Sequence, residues 1–164
     1  MILRRLGNKK KVAKLIMPHF PPHRIYIEPF FGAGGMFFQK PKAKYNIVND
    51  LDSDVFNLFQ VVMNQKEELE KACYMMPIHS DLLNYWKNNE EVEPIMKALR
   101  FLLRSNLTFL GAGSVILHSA SQGAGGGKAF KDSFNSKLEL TFKSLYDVQF
   151  VNFDFRKFLG KLSF

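Results

Sequence analysis

Cysteine is almost absent: Cys73 is the only one in the 164 residues. That excludes an internal disulfide framework and a cysteine-built zinc site, and it fits a reducing compartment. Long apolar runs are missing too. No stretch approaches the roughly 18 residues of a membrane helix. The start, Met1-Ile-Leu-Arg-Arg5, turns basic at once, with no apolar run of the signal-peptide kind behind it. A cytoplasmic protein with no membrane partner is therefore expected. Tryptophan occurs once, whereas phenylalanine occurs 17 times, mostly as core.

Acidic residues are unevenly distributed. Residues 1–24 hold seven Lys/Arg and no acid, residues 25–96 hold six basic and eleven acidic, and residues 97–164 hold ten basic and four acidic. Two basic segments flank an acidic middle, and the net charge is +8. Such segments attract polyanions by releasing their counterions.

Periodicity predicts a short helix over 8–18, with Val12, Leu15 and Ile16 on one face and Pro18, Pro21 and Pro22 ending it. Arg24–Ile27 reads as a strand, followed by a glycine loop and an apolar segment, Met36–Gln39, read as a helix. Tyr45–Asp50 reads as a second strand. From Ser53 to about Gln65, Val55, Leu58, Phe59 and Val62 share one helical face. Residues 66–110 look helical, and Gly111–Gly127 is a glycine- and serine-rich loop long enough to be functional. Another helix is expected over 134–145, a strand over Asp147–Asn152 and a helix from Phe155. The order predicts an α/β fold with a mostly parallel sheet and a helical insertion. The expected divisions are 1–62, 63–145 and 146–164.

Phe31-Gly32-Ala33-Gly34-Gly35 follows a strand, where glycines let backbone approach a ligand closely. Asp50 ends the next strand, where a carboxylate can accept both hydroxyls of a ribose. Together they point to an adenosine-containing cofactor at the carboxyl ends of the first two strands. A dinucleotide fingerprint needs a third glycine where Phe37 stands. That argues against NAD.

Three segments carry a family resemblance: Leu6-Gly7-Asn8-Lys9, Ile27-Glu28-Pro29-Phe30-Phe31-Gly32-Ala33-Gly34-Gly35-Met36-Phe37-Phe38, and Asn49-Asp50 through Asn57. In this order and spacing they resemble the D12 class of adenine-specific DNA methyltransferases, the Dam-like alpha group. The stretch Ala98–Asn106 and the strand Val148–Phe155 are also similar. The resemblance implies a Rossmann-like S-adenosylmethionine-dependent methyltransferase fold, with adenine N6 in duplex DNA as methyl acceptor. It implies that Lys9 lies beside the methionine end of S-adenosylmethionine, that Glu28, Phe30, Gly32, Ala33 and Gly34 form the cofactor loop, and that Asp50 binds the ribose. Asp154 would sit near the adenine ring, as well as capping a helix. Arg5 stands where the family usually has an aromatic residue, and its guanidinium plane can stack there instead.

DNA contacts are expected from the insertion. Arg100 and Arg104 are spaced i, i+4 for phosphates, with Asn106, Ser114, Ser119, Gln122 and Lys128 in or beside the long loop. Such enzymes act on a flipped base. They use an Asp/Asn-Pro-Pro-Tyr/Phe motif to bond the amino group and stack on the ring. No such tetrapeptide occurs here; the one double proline, Pro21-Pro22, is followed by His23. The family places the motif after Asp154, so it is expected beyond Phe164, and no catalytic residue is assigned. A split enzyme completed by a second chain, a truncated remnant and a chain cut at that point all fit, as does a nonenzymatic DNA-binding or regulatory subunit. A bare sheet edge would also favour self-association.

Overall fold

The structure is a computed structural model that describes residues 1–108 and 126–162. Three strands, β1 (Ile25–Glu28), β2 (Tyr45–Asn49) and β3 (Gln149–Val151), form a parallel sheet in the order β1-β2-β3. Ile25 pairs with Tyr45, and Ile47 with Gln149. Because strand side chains alternate, Tyr26, Asn46 and Val48 turn inward and are buried, while Ile25 and Tyr45 turn outward. The outward face is open and apolar, with Ile25, Ile27, Ile47, Val151 and Phe158 lining a groove. The outer edge of β1 has no strand beside it among the described residues.

The α-helices among the described residues are α1 (Ala13–Ile16), α2 (Ser53–Asn64), α3 (Lys66–Met75), α4 (Ser80–Asn88), α5 (Pro94–Leu107), α6 (Gly126–Leu145) and α7 (Phe155–Gly160). Helix α2 starts on its N-cap Asp52, which accepts the Asp54 amide, and α5 starts on Glu93, which accepts the Ile95 and Met96 amides. Helix α2 packs chiefly on α5. Phe59 is fully buried where helices meet sheet. Its ring stands edge-on to Phe31 at 5.1 Å and stacks on Phe150 at 5.5 Å. One continuous apolar cluster runs from Ile2 and Leu3 through α2, α3, α5 and α6. The helical insertion thus shares its core with the sheet.

Three expectations are corrected. Residues 8–18 are not one helix: a 3-10 turn at Lys9–Lys11, the single turn of α1 and a second 3-10 turn at Met17–His19 replace it. Leu15 is 72% exposed, and only Ala13 of the segment is buried, so no packed face sustains a helix. No regular helix follows the glycine loop either. Gly34 has φ +71°, and Pro41 closes the other end, which leaves under two turns of chain. Helix α6 begins at Gly126 rather than 134, because Phe130, Phe134, Leu138, Thr141 and Leu145 form one buried stripe. The expected loop contacts Ser114, Ser119 and Gln122 lie outside the described residues.

Since Phe59 joins both layers, Phe59→Ala should cost about 3–5 kcal/mol. Urea unfolding checks this through a lower midpoint at unchanged slope.

Candidate functional site

Parallel pairing places the carboxyl ends of β1, β2 and β3 side by side, and the expected cofactor residues gather there. The Gly32 amide donates to Asp50 Oδ2 at 2.5 Å, while Asp50 Oδ1 accepts the Asp52 amide at 2.9 Å. Gly32 takes φ +54°, the left-handed region that favours glycine, and its missing side chain would face open space. Ala33 and Gly34 are buried in the turn, and the Gly34 amide donates to Phe31 O at 2.8 Å. A Cβ at Gly34 would meet the Phe31 ring at 2.7 Å.

Aromatic rings flank this loop. Phe30 is 70% exposed and lies 5.4 Å from Phe155, the first residue of α7. Asp154 caps α7 by accepting the Arg156 amide, and the Arg156 guanidinium lies over the Phe155 ring at 4.6 Å. The N-terminal segment closes the other side. Asn8 Oδ1 accepts the Lys10 amide, and these atoms press on Gly35, where a Cβ would stand 2.7 Å from the Lys9 nitrogen. Lys9 is exposed and its Nζ donates to Gly7 O at 2.9 Å. Arg5 pairs with Asp52 at 2.7 Å, two residues beyond Asp50.

Glu28 reaches the inner side of the loop. Its Oε2 accepts the Tyr26 hydroxyl at 2.9 Å, and its carboxylate also accepts the Phe37 amide. Burial pushes the carboxyl up to about 7, against the opposing pull of Tyr26, Phe37 and Lys40, and nearby Asp50 adds to the rise. Burial, then Glu28, pushes the Tyr26 hydroxyl up in turn. Lys40 Nζ sits 4.0 Å over the Tyr26 ring and is pushed down by burial.

Sequence reasoning overlooked the residue that joins these parts. Asn49, 1% exposed, donates from Nδ2 to Pro29 O at 3.0 Å and to Phe153 O at 2.9 Å. Its Oδ1 accepts the Phe153 amide at 2.9 Å, and its backbone oxygen accepts the Phe31 amide at 2.9 Å. Asn152 Nδ2 adds a bond to Asp50 O at 2.6 Å. An amide ending a strand is unusual, since Asn is depleted in strands, and that was the available signal.

The expected DNA contacts differ in exposure and in partners. Arg100 is 7% exposed, and its Nε donates to Trp86 O and Asn89 O, so the fold turns this phosphate candidate inward. Asn106 bonds Leu102 O and Ile2 O. Arg104 is half-buried, with an Nε that lacks a hydrogen-bond partner among the described residues. Lys128 is exposed and paired with Asp132 at 2.6 Å.

The family model described as D12 class N6 adenine-specific DNA methyltransferase matches residues 6–163. The chain belongs to this family. Among curated proteins it is similar to the DNA adenine methylase of Salmonella typhi, 28% identical over 115 residues, which cover 66% of this chain and 41% of that protein. It is also similar to the DNA adenine methylase of Escherichia coli strain K12 (27% over 115 residues, with the same coverage) and to that of Serratia marcescens (29% over 106 residues, 61% and 39%). The chain spans about 41% of the length of the first of these relatives. The family is one of enzymes. Its small parallel sheet with surrounding helices is consistent with this membership, and no helix among the described residues is long and apolar enough to cross a membrane.

Glu28 gives this family member a measurable pH signature. With its folded pKa raised from 4.5 to about 7, the folded state holds the extra proton between those values, and stability falls as pH rises through that window. Glu28→Gln removes the effect. Its melting temperature relative to wild type should rise from near zero difference at pH 4.5 to several degrees above it at pH 8. Thermal unfolding across that range tests this.

Proposed function

We propose that this chain is the cofactor-binding and DNA-contacting part of an adenine-N6 DNA methyltransferase of Rossmann-like architecture, with S-adenosylmethionine as methyl donor. The observation that supports it most is the Gly32–Asp50 closure, which puts a ribose-binding carboxylate against a glycine turn at adjoining strand ends. The residues fit the cofactor. Gly32 leaves open space for close approach, and Asp50 has lone pairs beyond its two amide bonds. Phe30 and Phe155, with rings 5.4 Å apart and tilted by 47°, offer an apolar corner for an adenine ring, with Asp154 beside them. Lys9, Glu28, Ala33 and Gly34 complete the loop, and Arg5 would act through its pair with Asp52. When bound, the cofactor supplies an electrophilic methyl group.

Double-stranded DNA is the proposed partner. Exposed cations of the N-terminal segment, Arg4 and Lys10, lie close enough to Lys137 on α6 to push its ammonium down, after burial. Arg104 and Lys128 extend the proposed contact, whereas Arg100 and Asn106, bonded to backbone oxygens within the fold, drop out of it. Transfer further needs an Asp/Asn-Pro-Pro-Tyr/Phe motif, which these 164 residues do not contain. A second chain carrying it is one source within this reading, and self-association at the β1 edge another part of it. The relatives are methylases, which favours the catalytic reading over a regulatory DNA-binding remnant.

Calorimetry with S-adenosylmethionine tests the cofactor site. Wild type should bind, and Asp50→Ala should bind roughly 10–100-fold more weakly, because a charged hydrogen-bond acceptor is lost. No binding heat from wild type would sink the assignment. For DNA, Lys137→Ala should lower the slope of log affinity against log salt by about one. An unchanged slope removes Lys137 from the contact.

A further inference from the structure

We infer that Asn49 is a positioning residue for cofactor binding: one buried amide clamps both aromatic walls of the site in place. The inference rests on the cofactor reading above. Asn49 brackets Phe30, holding Pro29 O with its side chain and the Phe31 amide with its backbone oxygen. It brackets the other wall as well, because both the oxygen and the amide of Phe153 bond its side chain, immediately before Asp154 and Phe155. The exposed Phe30 ring and Phe155, 5.4 Å apart, are thus set by bonds that converge on a single residue at 1% exposure. The side-chain amide of Asn49 is satisfied at both ends. Neither bracket is needed to pair the strands, whose ladders end before these loops. What the brackets fix is the spacing of two rings that a flat heteroaromatic ligand would touch. Fixing such a wall before the ligand arrives strengthens binding by removing an ordering cost.

Asn49→Asp is isosteric, yet at pH 8 it turns a carboxylate toward two carbonyl oxygens. Its affinity for S-adenosylmethionine, per folded molecule in calorimetry, should fall at least about tenfold relative to wild type. As pH drops toward 5.5 the carboxyl regains a proton and can donate once, so the ratio to wild type should recover in part. A purely architectural role would shift melting without this pH-dependent affinity ratio. A folded Asn49→Asp that binds like wild type throughout overturns the inference. If that variant does not fold, hydrogen exchange on wild type decides. The Phe31 and Phe153 amides, which donate to Asn49, should exchange about 100-fold more slowly at ligand 100 times its Kd, because a released clamp cannot bind. Unchanged exchange at both amides overturns the inference. Failure of wild type to bind, or undiminished binding by Asp50→Ala, marks failure of the cofactor reading itself.

Discussion

Three parallel strands that end together set the terms for everything else in this chain. Parallel pairing leaves each strand's last carbonyl and amide groups beside those of its neighbours, and the loops that leave them must satisfy those groups or lose stability. Here the satisfaction is mutual. The loop after β1 bonds Asp50 and Asn49, the loop after β3 bonds Asn49, and Asn152 reaches back to Asp50. The shape of the strand-end surface follows from backbone accounting before any ligand is considered.

The aromatic richness of the sequence serves the same arrangement from beneath. Phe31, Phe37, Phe59 and Phe150 form a network of ring contacts under the glycine turn. Gly34 is where this network touches the backbone, since a side chain there would strike both Phe31 and Phe38. The turn is therefore held by rings below and by carboxylate and amide groups above. Glu28 sits between the two layers, a carboxyl in half-buried surroundings, which is why its proton is held so tightly.

Much of this was legible in the sequence, for physical reasons that differ by element. β1 and β2 announced themselves as short runs of β-branched and aromatic residues and α2 as an apolar face at helical period, and Asp154 fitted a capping position that local chemistry dictates. The residues around Gly32 and Asp50 were found because a tight turn and a strand-end acid leave marks at fixed spacing. The N-terminal helix failed since Val12, Leu15 and Ile16 had the right period but no surface to pack against. Arg100 looked like a surface cation, because one residue's spacing does not reveal that Trp86 and Asn89 carbonyls wait behind it. Asn49 stood in a segment of the family resemblance but was given no role, because its partners lie 20 and 104 positions away and its place in a strand hinted only that it is unusual.

The burial of Ile2 and Leu3 has a consequence for how this molecule comes into being. Their places lie against elements made much later, and Asn106 reaches the Ile2 carbonyl across 104 positions. β3 likewise joins β2 across about a hundred residues. Contacts so distant along the chain make folding slow, because loop closure must precede its reward. On the ribosome, Ile2 and Leu3 must wait unseated until α5 has emerged, and the strand-end surface waits longer still, for β3. Residues made well before their partners thus mature among the last.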